Sequence, residues 1–514
     1  MLAARARKRP GAVAIIADDG VFTRADLDGL ADRAAAAFQR DGLRPGDRVA
    51  FCAGNSGLYA AVMLGALKAG LALCPLATGW PAEAVGRMLD DCDAAVLFAD
   101  EMGACSLPPG GRRLVRLAGQ GGGPPLDAWL APEGARPTPT SIDPHAAFNI
   151  AYSSGTTARP KGIVQSQILR WRQTRLVSSW GPEAVVMAAT PFWANATLSG
   201  PSFPALAQGL TLVIMGKFDA GRFLELVQRH RVTHTVLVPV QLQQILAHPG
   251  FEQADISSLL STLITGAPFS EPLKRQAIAR WPGSVREIYT LSEGGAGTSL
   301  DLSSRSDKLH TVGRPNPGVE IRLIDDRGGE VPVGAVGEIV GRSPFMMTGY
   351  HNAPSQTAAA EWRDDAGRPY IRTGDLGRFD EEGFLAIMGR KKDMIISGGV
   401  NVYPSDIEQV MAANPEVAEA AVVGAPSLRW GETPVAFVVP STGAAASPDP
   451  DLLRIRLLDW TNARVAKTQR LMGLRLVDDL PRNALGKVLK RDLRQQCASF
   501  AGSAREPERP ALPL

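Results

Sequence analysis

The chain has 514 residues, a length that predicts about two to four compact units with ample core. Apolar residues make up 45% and charged residues 21%, which excludes a disordered chain, and 53 Gly with 39 Pro imply many turns without a collagen-like period. Against 55 basic residues stand 52 acidic ones, and the net charge of +3 is too slight to make nucleic acid or an anionic membrane the main partner.

Arg5, Arg7, Lys8 and Arg9 open the chain, but Pro10 and Gly11 follow where an export signal needs its apolar stretch. Thr23 is placed to cap a helix whose apolar positions Leu27, Leu30, Ala31, Ala34 and Phe38 keep a 3.6-residue period, with Asp26 favourable in its first turn. Short apolar runs at Val49–Cys52, Leu71–Cys74 and Ala94–Phe98 alternate with helical patterns at Leu58–Lys68 and Pro81–Asp90, which predicts α/β layering. The most membrane-like stretch, Leu58 to Trp80, has Lys68 at its middle and is divided by Gly70 and Pro75, so it reads as helix, turn and strand, with no integral membrane segment. Residues 107–140, rich in Gly, Pro and Arg, read as a surface excursion.

A second α/β stretch is expected from Asn149 to Phe218, with further strands at Val232–Val240 and Leu259–Thr265. From Ile321 onward, short strands with turns at Gly328, Gly334 and Gly337 read as a β-rich part. A boundary is expected after Gly389, where the polar run Arg390, Lys391, Lys392, Asp393 begins. The remainder to about residue 500 reads as a small α+β domain, with strands at Ala420–Val423 and Val435–Val439 and helices near Ile407–Met411 and Leu452–Arg464. The Pro-rich end, 501–514, reads as a disordered tail. Cys52, Cys74, Cys92, Cys105 and Cys497 are odd in number and lack zinc-site spacing, which fits reduced thiols and a cytoplasmic protein.

The most informative stretch is Tyr152 to Val164. After the strand-like Phe148–Ala151 come Ser153, Ser154, Gly155, Thr156 and Thr157, then Arg159, Pro160, Lys161 and Gly162. Small hydroxyl residues and Gly let successive backbone amides and side chains close around phosphate oxygens, and Lys161 adds a mobile positive charge. The ligand this suits is a polyphosphate. It is not a Walker A loop, because Pro160 replaces the glycine before the lysine and Gly162 replaces the hydroxyl residue after it.

Over nearly its whole length the chain resembles the acyl-CoA synthetase branch of the adenylate-forming superfamily. Tyr152 to Gly162 resembles that family's phosphate loop, Tyr289 to Glu293 its YGxTE segment, and Thr373, Gly374 and Asp375 its TGD. The resemblance implies a large N-terminal AMP-binding domain, 1–390, of two α/β layered subdomains and a β-rich subdomain, and a small mobile α+β C-terminal domain, 391–500, hinged at Lys392. It implies ATP, Mg²⁺ and CoA. Gly266, Ala267 and Pro268 would lie near adenine and the acyl pocket, with Tyr289 and Ser292 beside the nucleotide. Glu293 would hold Mg²⁺, Asp375 would accept the ribose hydroxyls, and Arg390 would assist it. Lys487, in Pro481 to Lys487, resembles the C-terminal lysine that contributes its ammonium during adenylation.

Ser397, Gly398 and Gly399 resemble the small-residue wall of a pantetheine tunnel, and Trp430 with Gly431 and Glu432 another tunnel element. Asn401, Pro404 and Glu408 fit the same segment, orienting a strand, loop and helix. The acyl pocket departs from the family. In Thr190 to Asn195, Ala194 takes a position often held by histidine, leaving Trp193 and Asn195 as candidate pocket elements. Medium-chain, branched and aryl acids are all compatible, and the lack of cations between Phe192 and Ser199 argues against a dicarboxylate. Alternatives are an acyl-AMP ligase loading a carrier protein and a non-enzymatic nucleotide-binding relative. A homodimer is compatible with the resemblance, although the residues themselves leave oligomeric state open.

Overall fold

The computed structural model describes residues 1–499 except 109–112, 120–121, 154–160, 178–179, 428, 446–448 and 484–485, and omits the side chains of residues 153, 498 and 499. The predicted tail, 501–514, lies outside the described residues. The chain forms two compact units. The first is made of residues 1–309, 315–321 and 341–372, and the second of 310–314, 322–340 and 373 onward.

The first unit contains two layered α/β sheets. One runs in the order Gly349–Tyr350, Lys161–Ser166, Ala147–Ser153, Ala72–Pro75, Arg48–Cys52, Val96–Ala99, Leu114–Arg116. The other runs Gly297–Asp301, Ser284–Thr290, Ser261–Ile264, His234–Leu237, Val185–Ala188, Thr211–Ile214, Val13–Ala17, Gly20–Thr23. The expected second α/β stretch is therefore divided. Its first two strands close onto the first sheet, and Val185–Ala188 and Thr211–Ile214 join the second, which also takes the N-terminal hairpin. Thr23 caps the helix Arg24–Arg40 as its spacing requires, in a reciprocal capping box with Asp26. The stretch 58–80 is helix Gly57–Lys68, turn and strand Ala72–Pro75. Among the described residues no helix is long and apolar enough to cross a membrane.

Residues 107–140 differ from the surface excursion expected. Leu114–Arg116 pairs parallel with Val96–Ala99, and the short helix Leu126–Trp129 buries Leu126 and Trp129. The Trp129 ring packs edge-on against Phe38 and Phe98, with centroids 4.9 and 5.0 Å away. A few widely spaced apolar anchors among Gly and Pro give no periodicity, so the pattern hides a segment that seals the core. All five cysteines carry free thiols, and only Cys105 is exposed.

In the second unit, a sheet ordered Val400–Val402, Ile395–Ser397, Gly431–Pro440, Val417–Ser427 also takes Gly473–Leu476 parallel to Gly431–Pro440. The long pair Val417–Ser427 and Gly431–Pro440 alternates two buried sets. Val422, Ala436 and Val438 pack with the helices Pro404–Ala412 and Pro450–Asn462, while Ala421, Val423, Val435 and Phe437 pack with Leu480, Leu493 and Cys497. A strand pair apolar on both faces is the α+β core expected here.

Candidate functional site

In the second sheet of the first unit, Val185–Ala188, His234–Leu237, Ser261–Ile264 and Ser284–Thr290 run parallel, so the segments that follow them leave one edge together. Those segments carry Trp193–Asn195, Gly266–Pro268 and Leu291–Glu293. Ligands of open α/β sheets bind at this carboxyl edge. Gly266 sits at φ +91°, a conformation that a side chain would strain. Buried Asn55 fixes the Thr190–Phe192 turn from both sides, donating to the Thr190 carbonyl at 2.9 Å and accepting from the Phe192 amide at 2.7 Å. Ala194 is buried, and Trp193 and Asn195 are half-buried.

The strands Ala147–Ser153 and Lys161–Ser166 pair antiparallel with Ser153 opposite Lys161. The predicted phosphate-loop residues Ser154, Gly155, Thr156 and Thr157 lie outside the described residues, as does the Ser153 side chain. The Lys161 ammonium lies 5.0 Å from the centre of the Tyr350 ring, and the Tyr350 hydroxyl donates to Glu293 Oε1 at 2.8 Å. Burial, reinforced by the Glu293 carboxylate, pushes the Tyr350 phenol well above its ordinary value, so it remains a donor. Glu293 is further held through its carbonyl, which accepts from the Met347 amide at 2.8 Å. Gly294 at φ +75° makes this possible, since a Cβ there would lie 1.7 Å from the Phe345 carbonyl oxygen. Tyr289 is paired opposite Thr298, and the Ser292 carbonyl accepts from Gln165 Nε2 at 2.8 Å.

Sequence reasoning did not find Tyr350, nor a buried cation beside the Trp193–Asn195 segment. Arg170, on the helix Gln167–Gln173, is 3% exposed. Its guanidinium donates to Asn149 Oδ1 at 2.9 and 3.0 Å, to Gln173 Oε1 at 2.8 Å, to Asn195 Oδ1 at 2.5 Å and to Gln165 Oε1. No carboxylate pairs with it among the described residues. Burial lowers its pKa to about 9, which still leaves it charged at neutral pH. The visible signal was an arginine directly after Ile168 and Leu169 in a short apolar helical run, and its partners, except Gln165 and Gln173, are too distant in the chain to be read locally.

The second unit brings another set together. Asp375 stands directly opposite Arg390 in the antiparallel pair of Pro369–Phe379 with Leu385–Arg390, and the two form an ion pair at 2.7 Å. The Thr373 hydroxyl accepts from the Asp375 amide at 3.0 Å and donates to the Ile339 carbonyl at 2.9 Å, while Arg390 Nη1 donates to the Thr373 carbonyl at 3.2 Å. Lys487 sits in a tight loop: its amide donates to Asn483 Oδ1 and its carbonyl accepts from the Asn483 amide, both at 2.9 Å, and Gly486 is left-handed at φ +77°. Its ammonium is held below the ordinary lysine value, first by burial and then by the Arg390 charge, with Asp375 partly offsetting both and Lys392 and Asp393 also within its field.

On either side of Lys392 the neighbours are pinned. Lys391 pairs with Asp326 at 2.9 Å and Glu338 at 3.1 Å, and Asp393 pairs with Arg494 at 2.7 Å. In the predicted pantetheine wall, the Gly398 amide donates to the Trp430 carbonyl at 2.8 Å, and a Cβ on Gly398 would meet Trp430 Cε3 at 2.6 Å. The indole thus fills the place of the missing side chain at Gly398, whereas no described residue comes within 4 Å of a Cβ placed on Gly399. Ser397 is buried, with no partner for its hydroxyl among the described residues. Glu408 binds Lys490 at 2.7 Å and accepts from the Val422 amide at 2.7 Å, orienting the helix that Pro404 begins. Asn401 lies on the strand Val400–Val402, opposite Ile396.

The AMP-binding enzyme family matches residues 2–351, and the AMP-binding enzyme C-terminal domain matches residues 406–487. An indoleacetate–CoA ligase of Aromatoleum aromaticum is 32% identical, over 95% of this chain and 96% of that protein. A fatty acid–[acyl-carrier-protein] ligase of Streptomyces coeruleorubidus is 32% identical over 96% and 94%. The crystal structure of ATP-bound MatB from Rhodopseudomonas palustris superposes with a TM-score of 0.83 at 28% identity, covering 96% of this chain and 99% of that one. The chain belongs to the AMP-binding enzymes, as an acid–thiol ligase of the acyl-CoA synthetase branch of the adenylate-forming superfamily.

Proposed function

We propose that the chain joins a carboxylic acid to CoA in two steps. The ionised carboxylate oxygen attacks the α-phosphorus of ATP, forming an acyl-adenylate as the bond to pyrophosphate breaks. The thiolate of CoA then attacks the acyl carbonyl and AMP leaves, the thiol's proton passing to solvent. No general base is needed for the first step, because a carboxylic acid is ionised at neutral pH. What it needs is neutralisation of charge on phosphoryl oxygens. Lys161 and the Ser153–Thr157 loop serve the phosphates, Gly266–Pro268, Tyr289 and Ser292 border the nucleotide, and Asp375 with Arg390 receives the ribose. Lys487 supplies a second ammonium.

Glu293 is suited to Mg²⁺, since this ion needs only one or two carboxylates beside phosphate and water oxygens, and Tyr350 occupies one of the two Glu293 oxygens. Bound there, Mg²⁺ would neutralise phosphate charge. Trp193, Ala194 and Asn195 line the acyl pocket, and Ser397, Gly398, Gly399 and Trp430 border the pantetheine path. Residues 391–500 swing against 1–390 about Lys392, the ion pairs of Lys391 and Asp393 confining the turn to that position.

The observation that carries this reading is the Lys487 ammonium drawn into the field of the Asp375–Arg390 pair. A lysine kept there by a tight loop suits a phosphoryl step better than surface solvation. A panel of carboxylic acids scored by AMP release, with and without free CoA, tests it, and release that rises with CoA is expected. The carrier-protein ligase of similar identity supports a second reading, for which free CoA would leave AMP release unchanged while a carrier protein raised it.

A further inference from the structure

A buried guanidinium among neutral oxygens is costly, because its desolvation is offset only by dipoles and, for Arg170, by the Phe148 ring face 5.7 Å away. Such a group beside a binding segment calls for a functional reason. Arg170 has no acceptor atoms, so every amide that faces it must present its carbonyl oxygen and turn its NH₂ away. Four amides do so: Asn149, Gln165, Gln173 and Asn195. Two of them spend their NH₂ on the protein, Asn149 on Gln165 Oε1 at 3.1 Å and Gln165 on the Ser292 carbonyl at 2.8 Å. Asn195, half-buried in the segment proposed to line the acyl pocket, has no described residue accepting from its Nδ2.

Resting on the ligase reading, we infer that Arg170 is a positioning residue that locks Asn195 as a hydrogen-bond donor toward the acyl chain, so that the preferred acid carries an accepting oxygen there, as a keto, hydroxyl or alkoxy group, in place of plain hydrocarbon. An amide free to turn could serve donor or acceptor alike. This one cannot, because turning it would set its NH₂ against a guanidinium. The buried charge behind the amide also polarises the donor and strengthens it toward an accepting oxygen.

The test compares kcat/KM for AMP release between a saturated acid and its oxo analogues of equal length, with the keto group at successive carbons, and between an arylpropenoic acid and its ring-methoxy analogue. The wild type is expected to favour the best oxygenated acid by about tenfold, the worth of one hydrogen bond. Asn195→Asp keeps an oxygen toward Arg170, gives the guanidinium a carboxylate partner and replaces the outward NH₂ by an acceptor. It should hold or raise Tm while reversing the preference. Asn195→Leu should bring the ratio to about one, and Arg170→Met should lower it, with Tm followed alongside. A wild type that turns over the hydrocarbon acid as well as every oxygenated analogue, or a preference that survives both Asn195 substitutions, overturns the inference while leaving the ligase reading standing. No AMP release with any acid overturns both.

Discussion

The Tyr350 hydroxyl donates to Glu293 at 2.8 Å while the face of the same ring lies 5.0 Å from the Lys161 ammonium, so one aromatic side chain ties together the proposed metal carboxylate and the proposed phosphate lysine. The phenol orients the carboxylate and the ring shelters the cation.

Tyr350→Phe keeps the ring and removes the donor. A hydrogen bond to a charged group is worth about 1.5–3 kcal/mol. Acid-dependent AMP release should therefore fall about tenfold or more, with a rise in the Mg²⁺ concentration needed for half-maximal rate and little change in Tm. Titrating Mg²⁺ against rate for wild type and variant checks it, and superimposable curves would remove Tyr350 from the metal's surroundings.

Lys487→Ala should abolish formation of the acyl-adenylate but spare thioester formation from supplied acyl-AMP, because the charge is needed only while phosphoryl oxygens gain charge. The lowered ammonium pKa adds a pH signature. Lys487 is charged below its pKa and loses that charge as pH rises through it, so adenylation should decline on the alkaline side sooner than an ordinary lysine would allow. The second step should lack that limb. Separate pH profiles of pyrophosphate exchange and of CoA consumption from acyl-AMP measure this.

Trp430 lies over Gly398, where a Cβ would meet the indole at 2.6 Å. Gly398→Ala must push the ring aside and also strains a left-handed position at φ +60°. Both it and Trp430→Ala should raise the KM for CoA several-fold and leave pyrophosphate exchange near wild type. Equal loss in the two half-reactions would place this pair outside the thiol path.

Lys274, on the helix Glu271–Arg280, and Glu287, on the strand Ser284–Thr290, are both buried and paired at 2.5 Å, and the Lys274 ammonium also donates to the Leu309 carbonyl at 2.7 Å. Breaking a buried pair leaves one charge uncompensated, so Lys274→Met should cost about 3–5 kcal/mol, and adding Glu287→Leu should recover much of it. Burial outweighs Lys274 and pushes the Glu287 carboxyl up to about 7. Between its ordinary value of 4.5 and about 7 the folded chain binds the proton that the unfolded chain has released. This group's contribution to stability therefore falls as pH rises through that window, and Glu287→Gln should flatten the slope in urea melts across it.

What the sequence revealed divides along locality. The Thr23 cap, the helix after it and the strand that leads into the Ser153–Thr157 stretch follow from residues a few positions apart. Asp375 and Arg390 were nameable one by one, but only the strand register sets them face to face. Arg170 with Asn195 and Tyr350 with Glu293 were not legible, because a buried polar contact is made by the fold and leaves no period in the chain. Trp129 was missed for the related reason that a core can be closed by isolated anchors in a turn-rich segment.

Acid-dependent exchange of labelled pyrophosphate into ATP, run with Mg²⁺ and without CoA, tests the reading most directly, since it reports the phosphoryl step alone. The wild-type chain should catalyse exchange only when a suitable carboxylic acid is present, and Lys487→Ala should not. Exchange absent with every acid, in a protein that also retains no ATP at equilibrium, would contradict it.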